Sequence, residues 1–494
     1  GQTLVIGGDG RYHNREAIQT AIAMAAANGV GKVVLGQGGL LSTPAASHLI
    51  RQTHAAGGMI LTASHNPAGP DGDFGIKYNV RGGGQAGEGL TERIHARSRG
   101  ITSYKTCDPG PIDLDRLGRH SVDGMELEII DATHQYSLLM QKLFDFDRIR
   151  DWFAQGHRVR FDAMHAVTGP YARRILIDML GAGEHAVENA EPLPDFGGGH
   201  PDPNLRHAAH LVRLMHAEDA PELGAASDGD GDRNMIHGPK LFISPGDSLA
   251  ILCEHLHKLP GYRKGLAGVA RSMPTSRALD RVAEHLGIDC YETPTGWKFF
   301  ANLLDSGKIS LCGEESFGTS SDHVREKDGL WAVLAWLNIL ALTDCSVPEL
   351  AKQHWQRFGR HYYARHDYES LPATDATQVM QELAGKLAEL PRQTFGDYQV
   401  SVAEEFSYCD PVDGSLAVNQ GLRIVFDKHA RLVLRLSGTG TQGATLRVYL
   451  ERFEQGDQKI GWRPDEALAP IRRIADALTN ITRITGRSVP DVVT

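Results

Sequence analysis

A change of rhythm constrains this chain more than any other feature: short apolar strands alternate with amphipathic helices over the first three-quarters, and then the helices drop out. Strand–helix alternation specifies parallel sheets covered by helices, because a parallel pair needs a crossover long enough to hold a helix. A strand is predicted over 4–6 and a helix over 15–28, stopped by Gly29. A second strand follows over 32–35, and Thr43-Pro44 is expected to supply an N-cap and a proline at the first helical position. A third strand, 59–62, runs straight into Ala63-Ser64-His65-Asn66-Pro67. The pattern restarts at 159–161 with a helix near 171–180, and again near 266–270 with a helix near 276–285. Beyond these, 422–426, 432–436 and 445–450 read as strands, the first two joined tightly by Asp427-Lys428-His429, and a helical stretch over 470–484 closes the chain. The expected fold class is α/β: three αβα units of related build, then a smaller α+β unit, with a linker near 360–375. The 494 residues accommodate three or four domains of roughly 100–150 residues. Expected bounds are 1–140, 141–242, 243–361 and 362–494.

Composition narrows the function classes. Apolar residues make up 41% and charged residues 23%, ordinary values for a globular protein. Six cysteines include no CxxC pair, so a reducing, cytoplasmic setting is expected. Residues 1–10 show neither a basic start nor a long apolar stretch, so no signal peptide is expected; the apolar run 330–342 is too short to span a bilayer and reads as a buried helix. The net charge of −10 with no basic stripe argues against a nucleic-acid partner. An anionic small molecule would have to be gripped by a local cluster of Arg, Lys and backbone N–H groups.

Four loops carry chemistry. In the first, Ser64 follows a strand at the end where α/β folds present ligand-binding groups, and His65 and Lys77 are candidates for moving its proton. Taken alone, the segment reads equally as an ordinary turn closed by Asn66-Pro67. In the second, Asp228-Gly229-Asp230-Gly231-Asp232-Arg233, alternating carboxylates converge on one hard cation while the glycines let the backbone curl around it. An EF-hand would need Gly at Arg233 and Glu at Pro239, so calcium is not indicated; three carboxylates fill part of a Mg²⁺ shell, and Arg233 is placed to neutralise a phosphate. The third region joins Thr295-Gly296-Trp297-Lys298, Gly313-Glu314-Glu315-Ser316-Phe317-Gly318 and Lys327; Glu314 and Ser316 suit vicinal sugar hydroxyls, whereas Trp297 taken singly reads as core and Lys327 as a solvated helix start. The fourth, Arg435-Leu436-Ser437-Gly438-Thr439-Gly440 with Arg447 beyond it, reads as a phosphate cradle or a bare glycine-rich hairpin, and it lacks the Gly-Lys-Ser/Thr ending of a P-loop.

Together and in this order, these loops resemble those of the α-D-phosphohexomutase superfamily, and 292–300, 312–318 and 325–335 are most similar to its phosphoglucomutase branch. The resemblance runs from Gly7-Gly8-Asp9-Gly10-Arg11 to the closing helix. It implies four domains around a central cleft and interconversion of glucose 1-phosphate and glucose 6-phosphate through phosphorylated Ser64. It implies Mg²⁺ on Asp228, Asp230, Asp232 and the phosphoserine, with glucose 1,6-bisphosphate as intermediate and activator. It also implies Arg233 beside the phosphate, His65 and Lys77 as acid/base groups, and sugar and phosphate contacts from Thr295, Gly296, Trp297, Glu314, Ser316 and Lys327. Arg435, Ser437, Thr439 and Arg447 match the distal phosphate loop. The partners implied are small hexose phosphates, without nucleic acid or membrane. Members of the family carry an N-terminal arm with a Thr-Ser-Gly-Leu-Arg-like turn, and this sequence begins at the strand that follows it. The rivals are a mannose-specific or dual-specificity mutase, a metal-dependent phosphatase and a non-catalytic paralogue. The stretch from Glu314 to Gly318 favours glucose, a phosphatase needs no distal cradle, and the intact Ser64, aspartates and Arg233 argue against loss of catalysis.

Overall fold

The computed structural model describes residues 1–440 and 443–494, with side chains throughout except at 438–440. Three sheets follow the alternating part of the sequence. The first has six strands, in spatial order Ile76–Val80, Gly57–Leu61, Thr3–Gly8, Lys32–Leu40, Met125–Ile130 and Gly118–Val122. Its four inner strands run parallel, and both edges are antiparallel. The second sheet keeps parallel pairing of Val159–Asp162 with Leu223–Ser227, and the third of Gly268–Ser272 with Asp289–Thr293 and Leu311–Gly313. In each unit the loops at the carboxyl ends of parallel strands carry the candidate residues, where such folds place their ligands. The fourth sheet is antiparallel, and its centre is the pair Arg431–Gly440 and Gly443–Glu454.

Several elements differ from expectation. Ser42, not Thr43, caps the helix Thr43–Gln52, its hydroxyl accepting from the Ala45 N–H at 3.3 Å; this frees the Thr43 side chain for another contact. The helix near 171–180 changes to π-helical geometry over Arg173–Met179, a widening that a 3.6-residue pattern does not reveal. The expected linker at 360–375 is largely the strand Arg360–Leu371, and the chain turns into it at Gly359 with φ 82°. The closing helix starts at Pro464 and carries Pro470 inside it, ending at Asn480 in the left-handed region. Both prolines satisfy the same local rule for a helix start, and the earlier one applies it.

The core is divided unequally. One continuous apolar cluster runs through the first three units, from Val5 and Ile60 through Phe161 and Leu223 to Leu249 and Val269. At its centre lies the helix Gly329–Thr343, in which every residue from Gly329 to Ala341 is buried. The fourth unit has a separate core around Ile424, Leu432, Val448 and Ile471. It meets the third through a small patch, Met273, Phe406, Tyr408, Val433 and Tyr449, and through ion pairs of Glu292 with Arg423 and Arg431. Among the described residues, no single helix is long and apolar enough to cross a membrane.

Candidate active site

Ser64 sits just beyond the strand Gly57–Leu61 with φ 53°, a left-handed conformation that a residue with a Cβ rarely adopts. A buried scaffold holds it there. The Arg11 guanidinium pairs with Asp9 at 2.9 Å, both side chains fully enclosed, and donates to the Ser64 carbonyl at 2.9 Å and the Asp73 carbonyl at 2.7 Å. The Thr62 hydroxyl donates to Asp9 at 2.6 Å and accepts from the Ser64 N–H at 2.8 Å. Every polar direction around the serine backbone is thereby fixed, and its Oγ points at Asp228, donating to Oδ2 at 3.1 Å.

Asp228, Asp230 and Asp232 are all fully buried, and one carboxylate oxygen from each lies within 4.8 Å of the others. Asp228 Oδ1 accepts from the backbone N–H groups of Asp232 and Arg233 at 2.9 and 3.0 Å, so the loop folds around its first carboxylate. Asp230 Oδ2 accepts from the Thr43 hydroxyl at 2.6 Å and from Lys77 Nζ at 2.7 Å. Lys327 Nζ lies 3.2 Å from Asp232. Burial pushes the Asp228 carboxyl well above its usual range, and the neighbouring charges of Asp232 and Asp230 push the same way. Burial also opposes ionisation of Asp230, but Lys77 and the Thr43 hydroxyl overcome it and hold that carboxyl below its usual range. Asp230 Oδ1 and Asp232 Oδ1 are buried with no hydrogen-bond donor among the described residues. Orphaned carboxylate oxygens cost free energy unless a cation meets them, and an all-oxygen donor set suits a hard one. The three aspartates could therefore hold a metal ion.

The remaining loops adjoin this cluster in turn. Arg233 reaches toward Asp202 at 3.5 Å, while its backbone bridges Gly318 of the third unit. The His65 ring is parallel to that of His200, at 6.4 Å between centroids, and its Nδ1 is buried without a partner. Glu314 accepts from the Gly296 N–H at 2.8 Å, and Ser316 Oγ lies 3.4 Å from its other oxygen. Gly296 has φ 127°, a conformation that favours glycine. Thr295 Oγ1 is buried without a hydrogen bond. Trp297 is core, packed edge-on against Phe300 at 5.0 Å, yet its indole N–H also lacks an acceptor.

In the fourth unit Arg435 and Arg447 are direct cross-strand partners, and Ser437 pairs with Thr445 two residues on. Like charges placed opposite each other are destabilising unless an anion lies between them. Arg435 donates to the Tyr449 hydroxyl at 3.4 Å, and that hydroxyl donates to Glu315 at 3.1 Å, one residue from Glu314. Arg447 approaches Asp367 only to 3.7 Å. The Thr439 side chain, named from sequence for this loop, lies outside the described residues. The first three loops meet around the aspartates, and the fourth joins them through Tyr449 and Glu315. The sequence assigns no separate site role to Asp9, Arg11, Asp202, Glu315 or Tyr449, and Thr43 is expected there only as a helix cap. The only signal was the Asp9–Arg11 spacing at a strand end.

Comparison with known proteins places this arrangement. Models of the phosphoglucomutase/phosphomannomutase αβα domains I, II and III match residues 1–105, 135–240 and 245–358. The phosphoglucomutase-1 C-terminal domain matches 360–491. The whole chain is 56% identical to a phosphoglucomutase of Rhizobium radiobacter, covering 91% of that protein. It is 48% identical to phosphoglucomutase-1 of Homo sapiens, again over the whole chain and 90% of that protein. Among solved structures, the open form of pp63/parafusin, a phosphoglucomutase of Paramecium, superposes with a TM-score of 0.92 at 46% identity, over 100% of this chain and 90% of that one. A protein of Thermus thermophilus, 23% identical with a TM-score of 0.69 over 96% of this chain and 91% of that one, shares the fold. With its four units matched in order and its full length aligned to such relatives, the chain belongs to the phosphoglucomutase/phosphomannomutase family of α-D-phosphohexomutases.

Proposed function

We propose that this protein interconverts α-D-glucose 1-phosphate and D-glucose 6-phosphate by passing a phosphoryl group through Ser64. The observation that carries the reading is the Ser64 hydroxyl, held by a buried Arg11–Asp9 scaffold and directed at three enclosed aspartates. Phosphoryl transfer asks a protein mainly for positioning and for charge opposite the moving group. Asp228, Asp230 and Asp232 would hold Mg²⁺ together with an oxygen of the phosphorylated serine. A bound Mg²⁺ supplies positive charge against the phosphoryl oxygens.

The chain's own groups do the rest. Arg233, beside Asp228 and Asp202, neutralises an equatorial oxygen of the transferring group. Glu314 and Ser316 hold two sugar hydroxyls, with Thr295, Gly296 and Trp297 forming the adjoining wall and Lys327 reaching the phosphate. Arg435, Ser437, Thr439 and Arg447 grip the phosphate that is not moving. The Ser64 O–P bond breaks as a bond forms between phosphorus and the free sugar hydroxyl. The hydroxyl proton goes to His65, whose Nδ1 has no competing partner among the described residues, and Lys77 returns a proton to Ser64 Oγ. Glucose 1,6-bisphosphate is the product of this half-reaction. It turns over within the cleft and gives its other phosphate back to Ser64. A coupled assay of glucose 6-phosphate formation from glucose 1-phosphate, run with and without added 1,6-bisphosphate, tests the scheme, and mannose 1-phosphate as competitor tests the sugar. Turnover should rise with the bisphosphate and resist the mannose ester; release of inorganic phosphate in place of glucose 6-phosphate would overturn the reading.

A further inference from the structure

Apart from the aspartate triad, the described residues bring a second set of metal-ligating side chains together: His200, Asp202 and His207. The loop that carries them is organised by its own hydrogen bonds. Asn204 Nδ2 donates to Asp202 Oδ2 at 2.7 Å, and Asn204 Oδ1 accepts from the N–H groups of Arg206 and His207 at 2.9 and 3.0 Å. Pro201 and Pro203 on either side of Asp202 restrict the backbone further. The two imidazoles are brought to 4.1 Å between centroids, inclined by 48°. One ligand atom from each of the three residues lies within 4.8 Å of the others. His200 Nε2 is buried and has no hydrogen-bond partner among the described residues. Asp202 Oδ1 lies 3.5 Å from Arg233 Nη1, longer than a close charge-assisted contact.

This donor set differs in kind from the triad. Two imidazole nitrogens and one carboxylate favour borderline ions such as Zn²⁺ or Co²⁺ over Mg²⁺, which prefers oxygen. Three protein ligands leave one position of a tetrahedron for water or another ligand. Where metal–ligand bonds of about 2.0–2.2 Å need the donor atoms to close on the ion, a side chain must be able to move. His207, partly exposed, can supply that movement by rotation.

We propose that this protein binds a zinc-type transition-metal ion at His200, Asp202 and His207, separately from the hard cation of the aspartate triad. The site stands beside the active centre, because the His200 ring lies parallel to that of His65 and Asp202 neighbours Arg233.

The test uses the intact protein in excess Mg²⁺, which keeps the aspartate triad occupied, and titrates it with Co²⁺ while recording visible absorption and bound metal by equilibrium dialysis. Uptake of one equivalent is expected, with the intense visible bands of cobalt in a low-coordinate, nitrogen-containing site, displaced by Zn²⁺. His200→Gln and His207→Gln should each weaken uptake by at least about tenfold, whereas Asp230→Asn should leave it intact. Thermal unfolding of each variant establishes that it is folded, and the wild-type spectrum is independent of all three. A weak, octahedral-type spectrum in the wild type would overturn the proposal, as would uptake unaltered in both histidine variants or abolished by Asp230→Asn. None of these readouts depends on the reaction assigned to Ser64.

Discussion

Replacing Arg447 with alanine removes one of two like charges that the fourth sheet sets directly opposite each other. In the absence of an anion, Arg447 contributes little to the fold: it approaches Asp367 only to 3.7 Å, and its Nε is buried with no hydrogen-bond partner among the described residues. Relief of repulsion from Arg435 offsets what packing is lost, so thermal unfolding should stay close to that of the wild type. Binding is another matter. A charge-assisted contact to a phosphate contributes roughly 1.5–3 kcal/mol, which corresponds to roughly ten- to hundredfold in kcat/KM. Because the gripped phosphate orients the sugar at Ser64, part of that loss should appear in kcat as well as in KM. Phosphorylation of Ser64 by added glucose 1,6-bisphosphate should slow in parallel, since that donor occupies the same cradle. The measurement is steady-state kinetics on Arg447→Ala, with unfolding curves as control. An unchanged kcat/KM in a normally folded variant would show that the arginine pair takes no part in substrate binding, and the argument from opposed charges would fail.

Ser64→Ala should abolish mutase turnover in the coupled assay while leaving the unfolding midpoint nearly unchanged, because the Arg11 contact is to the backbone carbonyl and survives; near-normal turnover would rule out the covalent route. Asp230→Asn should raise the Mg²⁺ concentration at half-maximal activity by at least about tenfold, read by metal titration, and an unmoved midpoint would place the ion elsewhere. Acid should loosen the fourth unit through Glu292: burial alone would raise this carboxyl from its ordinary 4.5, but the charges of Arg271, Arg423 and Arg431 hold it at about 2. A depressed folded-state pKa gives stability that is present above the ordinary value and lost as pH falls from about 4.5 through about 2. It amounts to at most about 3 kcal/mol. Thermal unfolding across that window should fall more steeply for the wild type than for Glu292→Gln, and parallel curves would contradict the assignment.

What the sequence disclosed depended on whether the chemistry was written contiguously. The three aspartates stand two apart in one loop, so their convergence could be read without knowing any tertiary contact. Ser64, taken with its neighbours, remained ambiguous, since the groups that distinguish a poised serine from a turn are Asp9, Arg11 and Asp228, far away in sequence. The Thr43 contact to Asp230 was hidden because a threonine beside a proline satisfies a capping rule, and only the fold shows Ser42 taking that task. The strand Arg360–Leu371 stands where the sequence suggests a linker, and it carries charges at Arg360, Arg365 and Asp367. Those charges find partners within the fold: Arg365 pairs with Asp367 at 3.0 Å, and Arg360 donates to the Ile460 carbonyl at 2.7 Å. Glu315 and Tyr449 illustrate the same limit: each is an ordinary residue of its own segment, and their joining of two units is a property of the assembled cleft.

The unequal division of the core bears on how the molecule comes apart. Cooperative unfolding follows shared apolar packing rather than the number of sheets. The first three units, built around the Gly329–Thr343 helix, should therefore melt as one block, and the fourth as another. Four architectural units then behave as two thermodynamic ones. A cavity cut at Trp336 would weaken the serine, aspartate and sugar loops at once, although it touches none of them. A cavity at Val448 would release the arginine loop alone. Amide exchange would report the difference as two protection levels across one polypeptide, with the step falling near Gly359.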